Sequence, residues 1–265
     1  MRVGESRRPR KETARVSTTP TPIVSGENRA PASSSPPHKI GLSARVAIRI
    51  IAVLTIAICA LFLPAGTLRF WQGWVYLGVL PVPSLCAYLY FLKHDPQLVE
   101  RRLQQKEQVR EQKLLMRWFK PLFLCVFLVP GFDYRLGWTR TLLGAVPLWL
   151  TVFSQVMALT GMCFASWVIT VNRFAGRTIR VEEGQKVIST GPYSIVRHPM
   201  DSGSVVLLMF TPLALGSYIS VPIFALLIPF YVIRLLNEEK VLREELPGYP
   251  EYCLHTRFRL IPFVW

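Results

Sequence analysis

Residues 44–63 spell ARVAIRIIAVLTIAICALFL, an apolar run long enough to cross a lipid bilayer as one helix. Two arginines, Arg45 and Arg49, lie near its start, where long cationic side chains can reach the membrane interface. The run starts too far from Met1, and is too long, to be an ordinary signal peptide. We therefore predict that it is a retained transmembrane helix.

Further apolar runs follow along the chain at 71–92, 119–134, 141–170, 200–215 and 218–236. Pro81 and Pro83 predict a kink in the first of these. The segment 215–217 is so short that the last two runs should form a tight helical hairpin, either two full spans or a re-entrant pair. Because only helices and closed barrels span membranes, we predict an all-α, polytopic membrane bundle of five to six spans.

The overall composition supports a membrane protein and argues against a nucleic-acid binder. The chain of 265 residues is 51% hydrophobic and carries 31 Lys and Arg against 16 Asp and Glu. These charges fall in blocks between apolar runs, whereas a soluble basic protein would spread them over its surface. The five cysteines have no CxxC spacing, so neither a disulfide framework nor a metal site is indicated.

The polar blocks define three regions. Residues 1–40 are rich in Pro, Ser, Thr and Arg and predict a disordered basic tail. Residues 41–170 would hold four spans, with an amphipathic segment near 93–120 lying on the cytoplasmic surface. Residues 171–265 would form a separate functional module that includes the hairpin.

The basic residues also predict an orientation. Of the 31 Lys and Arg, only Arg49, Arg69, Arg135 and Arg140 fall outside four segments that alternate topology places on one side. By the positive-inside rule that side is the cytoplasm, and both termini face it. A soluble cofactor could then enter from the cytoplasm while a lipophilic substrate approaches from the bilayer.

The densest polar motif is GQKVISTGPYSIVRHPMD at 184–201. Gly191 and Pro192 break regular structure, and Pro199 suits the first turn of a helix, so we predict a helix start at Pro199. The free N–H groups at that helix start, beside His198, would suit a carboxylate or phosphate. The simpler alternative is a surface turn that caps a membrane helix.

A second polar group ends the last apolar run. Arg234 and Glu238 are spaced i and i+4 on one helix face, and Glu239 adjoins them. They could be interfacial anchors or a local ion pair. Directed at the turn before Pro199, they would instead form a pocket of mixed sign, which suits a zwitterionic cofactor.

Three motifs together resemble the isoprenylcysteine carboxyl methyltransferases and their bacterial and phospholipid-methylating relatives. They are GQKVISTGPYSIVRHPMDSG, RLLNEEKVL and LPGYPEYCLHTRFRLIP, in this order over about 170–265. The resemblance implies an integral membrane enzyme, in a bacterial cytoplasmic membrane, with S-adenosyl-L-methionine in a cytoplasm-facing pocket closed by the C-terminal segment. It leaves the oligomeric state open.

The resemblance also implies site residues. Arg234 would orient the substrate and, with Glu238, form the catalytic pair, while Tyr249, Tyr252, Arg257 and Arg259 would have a structural or lid role. The implied cofactor contacts are Gln185, Lys186, Val187, Ile188, Tyr193, His198, Pro199, Met200, Asp201 and Glu238.

Asp201 departs from the pattern, because the family usually has Tyr at this position. Near a helix start an Asp suits the helix dipole. It would nevertheless repel a cofactor carboxylate, so we expect reduced cofactor affinity or a changed substrate.

The expected reaction is methyl transfer to a lipophilic acceptor. A carboxylate acceptor needs no general base and could be held by Arg234, which favours carboxyl O-methylation of an isoprenylcysteine-like substrate. An amine acceptor, as in phospholipid N-methylation, would need Glu238 or Glu239 as a base.

Two other classes remain as alternatives. Membrane sterol and enoyl reductases that use NADPH look similar in the C-terminal helices, and they also lack a GxGxxG motif. A non-catalytic membrane protein is the third hypothesis, although a transporter would be expected to place charged groups at mid-membrane depth.

Overall fold

The first apolar run forms helix α1, Leu42–Ala65, in the computed structural model, which describes residues 41–104, 110–174 and 184–265. The predicted tail at 1–40 lies outside the described residues. Within those residues the fold is all-helical, as predicted, and five stretches are long and apolar enough to cross a membrane. They are Leu42–Ala65, Trp71–His94, Lys113–Leu136, Leu148–Val171 and Ser220–Glu245.

The second stretch is broken where the prolines predicted a kink. Helix α2, Trp71–Val79, is followed by α3, Val82–His94, and the break falls at Leu80 and Pro81. Proline lacks the N–H that would continue the helical hydrogen bonding, so the helix is interrupted there. The interruption falls at the position where the kink was predicted.

The segment predicted to lie on the membrane surface is in part packed against other helices. Helix α4, Pro96–Gln104, buries Leu98 and Val99 in a cluster with Val46 of α1. Arg45, near the start of α1, forms an ion pair of 2.9 Å with Glu100. The start of α1 is therefore tied to α4 by apolar and ionic contacts.

The third span is longer than the sequence suggested. Helix α5, Arg110–Leu136, begins well before residue 119 and continues through Pro121 and Pro130. Its polar first turns contain good helix formers, so hydrophobicity alone missed them. Proline is tolerated inside membrane helices because neighbouring groups can satisfy the freed backbone carbonyls.

The fourth span is shorter at its start than predicted. A short helix α6, Trp138–Leu142, precedes it, and α7, Leu148–Val171, begins only after Pro147. Gly144 has φ +83°, a left-handed conformation that interrupts the helix in the run 141–170.

The C-terminal hairpin begins with α8, Pro199–Ala214, which is too short to count among the five long stretches. After a turn, the chain continues through α9, Ser220–Ala225, and α10, Ile228–Glu245, and then α11, Tyr249–His255. A buried carboxylate, Asp133, fixes this turn: it accepts hydrogen bonds from Ser217 and from the Thr139 backbone N–H.

Helices α7 and α8 are in close backbone contact at a pair of glycines. A Cβ atom added to Gly161 would lie 2.6 Å from the Gly203 carbonyl oxygen, and one added to Gly203 would lie 2.7 Å from the Gly161 carbonyl oxygen. Small residues allow this approach, which drives helix association in membranes through van der Waals contact. The site described below lies where α7 ends and α8 begins, so this contact helps to fix the relative position of the two helices at the site.

We expect Gly161→Ala to destabilise the protein by about 1–3 kcal/mol, because the new methyl group overpacks a backbone contact. Gly78→Ala is the matched control, since a Cβ at Gly78 meets no atom within 4 Å. The measurement is the midpoint of thermal unfolding in detergent. Equal midpoints for the two variants would contradict the close contact.

Candidate active site

The polar motif forms a turn that leads directly into α8. Residues Gly191–Ser194 make one turn of 3₁₀ helix, and α8 begins at Pro199, as the sequence predicted. The C-terminal segment runs beside this turn: the Arg197 and His198 N–H groups donate to the Phe258 and Arg259 carbonyls at 2.9 and 3.0 Å. The segment after α11 thus satisfies backbone donors just ahead of the helix.

A buried carboxylate, Glu239 of α10, joins these two segments. One of its oxygens lies 2.7 Å from Arg197 Nε, and the other lies 3.0 Å from Arg259 Nε. His198 Nε2 is 3.4 Å from the same oxygen that Arg197 contacts. Glu239 is only 4% exposed, so two arginines and a histidine surround a carboxylate that has left water.

A second ion group lies beside the first. Arg234 Nη1 lies 3.1 and 3.3 Å from the two oxygens of Asp201, so one donor group serves both. The same nitrogen is 3.4 Å from Glu238 Oε2, one helical turn later. The i, i+4 pair that the sequence predicted is therefore present, but Asp201 of α8 is also part of it.

Together the turn, α10 and α11 enclose a cavity. Nine of the ten residues that the sequence assigned to the cofactor line it, and Asp201 is the exception. The lining residues are Asn172, Phe174, Gln185, Lys186, Val187, Ile188, Tyr193, Arg197, His198, Pro199, Met200, Glu238, Leu242, Leu246, Tyr249 and Tyr252. The two distant sequence segments thus meet at one place, and Arg234, paired with Asp201, is not among the lining residues.

Three tyrosines provide hydroxyl groups at the cavity. Tyr252 donates to the Tyr193 carbonyl at 2.6 Å, and the Tyr193 hydroxyl accepts from the Asn172 amide at 3.0 Å. Burial raises the pKa of Tyr252 to about 12 and raises the pKa of Tyr193 and Tyr249 as well, so all three remain protonated at neutral pH. The buried Tyr249 hydroxyl has no hydrogen-bond partner among the described residues.

Some lining residues were missed from the sequence. Leu242 lies four residues after Glu238, so the helical period places both on one face and could have identified it. Asn172 and Phe174 directly follow α7, where the apolar run ends. Arg197 was quoted in the motif without a role, although it is the closest partner of Glu239.

The side chains of His198, Asp201 and Glu238 could be considered for a metal ion, since their ligand atoms lie within 4.8 Å of one another. The guanidinium of Arg234 already lies against both carboxylates. A cation at this point would have to displace it, so the geometry favours an ion-pair group over a metal centre.

Comparison with known families agrees with a membrane methyltransferase. Residues 149–247 match the family model for phospholipid methyltransferase. The matched region covers α7 to α10, which is less than half of the chain, and includes every member of the two ion groups except Arg259. No curated protein matches the chain. The family match and the five long apolar helices support a membrane methyltransferase, without distinguishing the isoprenylcysteine enzymes from the phospholipid enzymes.

We expect Glu239→Gln to cost about 3–5 kcal/mol of stability, because it leaves the buried Arg197 and the partly buried Arg259 without their counter-charge. Loosening of the C-terminal segment should also speed trypsin cleavage at the exposed Arg257. Glu244→Gln, at an exposed position of the same helix, is the control. Unchanged unfolding and cleavage in the Glu239 variant would show that the ion group does not anchor the segment.

Proposed function

We propose that this protein transfers a methyl group from S-adenosyl-L-methionine to a lipophilic acceptor. The observation that carries the proposal is the meeting of two distant segments at one cavity. Residues 185–188 and 198–200 approach it from one side, and Glu238 of α10 closes it from another. These are the segments that the resemblance assigned to the cofactor.

The cavity lining fits the chemistry of this cofactor. The rings of Tyr193, Tyr249 and Tyr252 suit an adenine ring and a sulfonium cation, since aromatic faces attract cations. Lys186 and the start of α8 offer positive charge and N–H groups for its carboxylate, and Glu238 offers a partner for its amino group. The unpartnered Tyr249 hydroxyl provides a buried donor that a polar ligand atom would satisfy.

The chain's contribution to the reaction would be positioning and exclusion of water. The cofactor supplies an electrophilic methyl group. The side chains of Met200, Leu242 and Leu246 present apolar surface in the cavity, which would limit water around the reacting atoms. The C-terminal segment, held by Arg259 and Glu239, would fix the tyrosines and thereby the bound geometry.

The membrane arrangement follows from the same proposal. With the cavity at the cytoplasmic face, both termini would be cytoplasmic, and the soluble cofactor would enter without crossing the bilayer. The methyl acceptor and the lipid bilayer would be the partners. A bacterial cytoplasmic membrane is the location that the resemblance implies.

The methyl acceptor could be a lipophilic carboxylate or a lipophilic amine. Carboxyl O-methylation of an isoprenylcysteine-like substrate would use Arg234 to hold a carboxylate, whereas N-methylation of a lipid amine would use a carboxylate of the site as a base. The first reaction needs Arg234 to be available to the substrate, whereas the second does not.

We expect the detergent-purified protein to bind S-adenosylhomocysteine and not NADPH, because the cavity joins a carboxylate with buried aromatic rings. Isothermal titration calorimetry measures both. Incubation with radiolabelled S-adenosylmethionine and either membrane lipid extract or a farnesylated cysteine should then label one of these fractions. Binding of NADPH alone would favour the reductase hypothesis, and binding of neither would favour the non-catalytic one.

We expect Tyr249→Phe to weaken S-adenosylhomocysteine binding by about 3- to 10-fold, which is the cost of one hydrogen bond. Its thermal stability should not fall, because the hydroxyl has no partner in the described residues.

Tyr252→Phe is the matched variant, and it should lower stability because its hydroxyl bonds the Tyr193 carbonyl. If Tyr249→Phe binds S-adenosylhomocysteine as the wild type does, the Tyr249 hydroxyl does not form a hydrogen bond with the ligand.

A further inference from the structure

We propose that Asp201 selects the methyl acceptor, by occupying Arg234 as an internal carboxylate, so that the site accepts a lipophilic amine and rejects a lipophilic carboxylate. The inference rests on the methyl transfer proposed above. It concerns one residue in which the chain departs from the family pattern, and it assigns that residue a role in specificity.

The contact between the two residues is close and buried. Both oxygens of Asp201 accept hydrogen bonds from Nη1 of Arg234, and their side chains are only 9% and 11% exposed. Asp201 is the third residue of α8, where the helix dipole favours its negative charge.

Arg234 already faces two carboxylates of the protein. Asp201 and Glu238 lie 3.1 and 3.4 Å from its guanidinium, on α8 and α10. His198 Nδ1 lies 3.9 Å from Asp201, and its other ring nitrogen faces Glu239.

The contact between Asp201 and Arg234 disfavours a carboxylate acceptor. A carboxylate would bring a third negative charge, and it could reach Arg234 only by displacing Asp201. That displacement would leave Asp201 as a buried charge without its cation, which is strongly unfavourable. The arginine that the resemblance assigns to the substrate is thus already engaged by the protein itself.

An amine meets the opposite situation. Glu238 lines the cavity and also contacts Arg234, so an ammonium group in the cavity would find a carboxylate there. The ammonium would give one proton to Glu238, whose side chain is 26% exposed and can release it to water. The nitrogen lone pair then forms a bond to the methyl carbon while the carbon–sulfur bond breaks, and its electron pair remains on sulfur.

The test compares two probes that differ only in the reacting group, dodecylamine and dodecanoate. Their affinities are measured by microscale thermophoresis in lipid nanodiscs, with S-adenosylhomocysteine bound so that no reaction occurs. We expect the wild type to bind the amine about tenfold more tightly or better, as one added like charge near a buried ion pair requires. Methyl transfer from S-adenosylmethionine to each probe should show the same preference.

Asp201→Asn removes the internal carboxylate and should shift the affinity ratio towards dodecanoate by about tenfold. Asp201→Glu keeps the charge and should keep the preference for the amine. In each variant the S-adenosylhomocysteine affinity is measured as the check of folding. If Asp201→Asn fails that check, the wild-type ratio and the Glu variant decide.

The inference is overturned if the wild type prefers dodecanoate, or if Asp201→Asn binds S-adenosylhomocysteine normally and leaves the ratio unchanged. Failure of the proposed function looks different, because the wild type would then bind no S-adenosylhomocysteine at all.

Discussion

The site end of this bundle depends on one buried carboxylate. Glu239 receives Arg197 from the turn before α8 and Arg259 from the C-terminal segment, so three parts of the chain meet at its two oxygens. A buried charge is costly without partners, so moving either arginine away from Glu239 would be strongly unfavourable. The positions of the turn and of the C-terminal segment therefore follow from a single requirement, the neutralisation of Glu239.

The rest of the bundle supplies the frame for that ion group. The glycine contact between α7 and α8 sets how closely the two helices pack, and the chain leaves α7 at Asn172 and enters α8 at Pro199 beside the same cavity. At the far end, Asp133 and Ser217 fix the turn that follows α8. Both ends of α8 are thus restrained, and the groups near its start are carried on rigid elements.

Asp201 illustrates how the meaning of a residue depends on its partner. From the sequence, we expected Asp201 to replace an aromatic ring of the family and to repel a cofactor carboxylate. In the structure its side chain bonds Arg234 and is not among those that line the cavity. Having Asp in place of Tyr therefore affects Arg234, which Asp201 binds, more directly than it affects the cofactor. This contact is the basis of the specificity that we propose.

The sequence by itself determined the local features. The all-helical membrane fold, the break near Pro81 and the helix start at Pro199 follow from hydrophobicity, helix length and the missing proline N–H, which act over a few residues. It also identified most of the side chains that line the cavity, through the three motifs. Helix ends were less predictable, because the polar first turns of α5 are helical without being apolar. Only the tertiary structure decided which charged groups form pairs, as for Arg234 and Asp201, which are far apart in the sequence. Hydrophobic periodicity predicts which face of a helix a side chain occupies. It does not predict which charged group of another helix that side chain contacts.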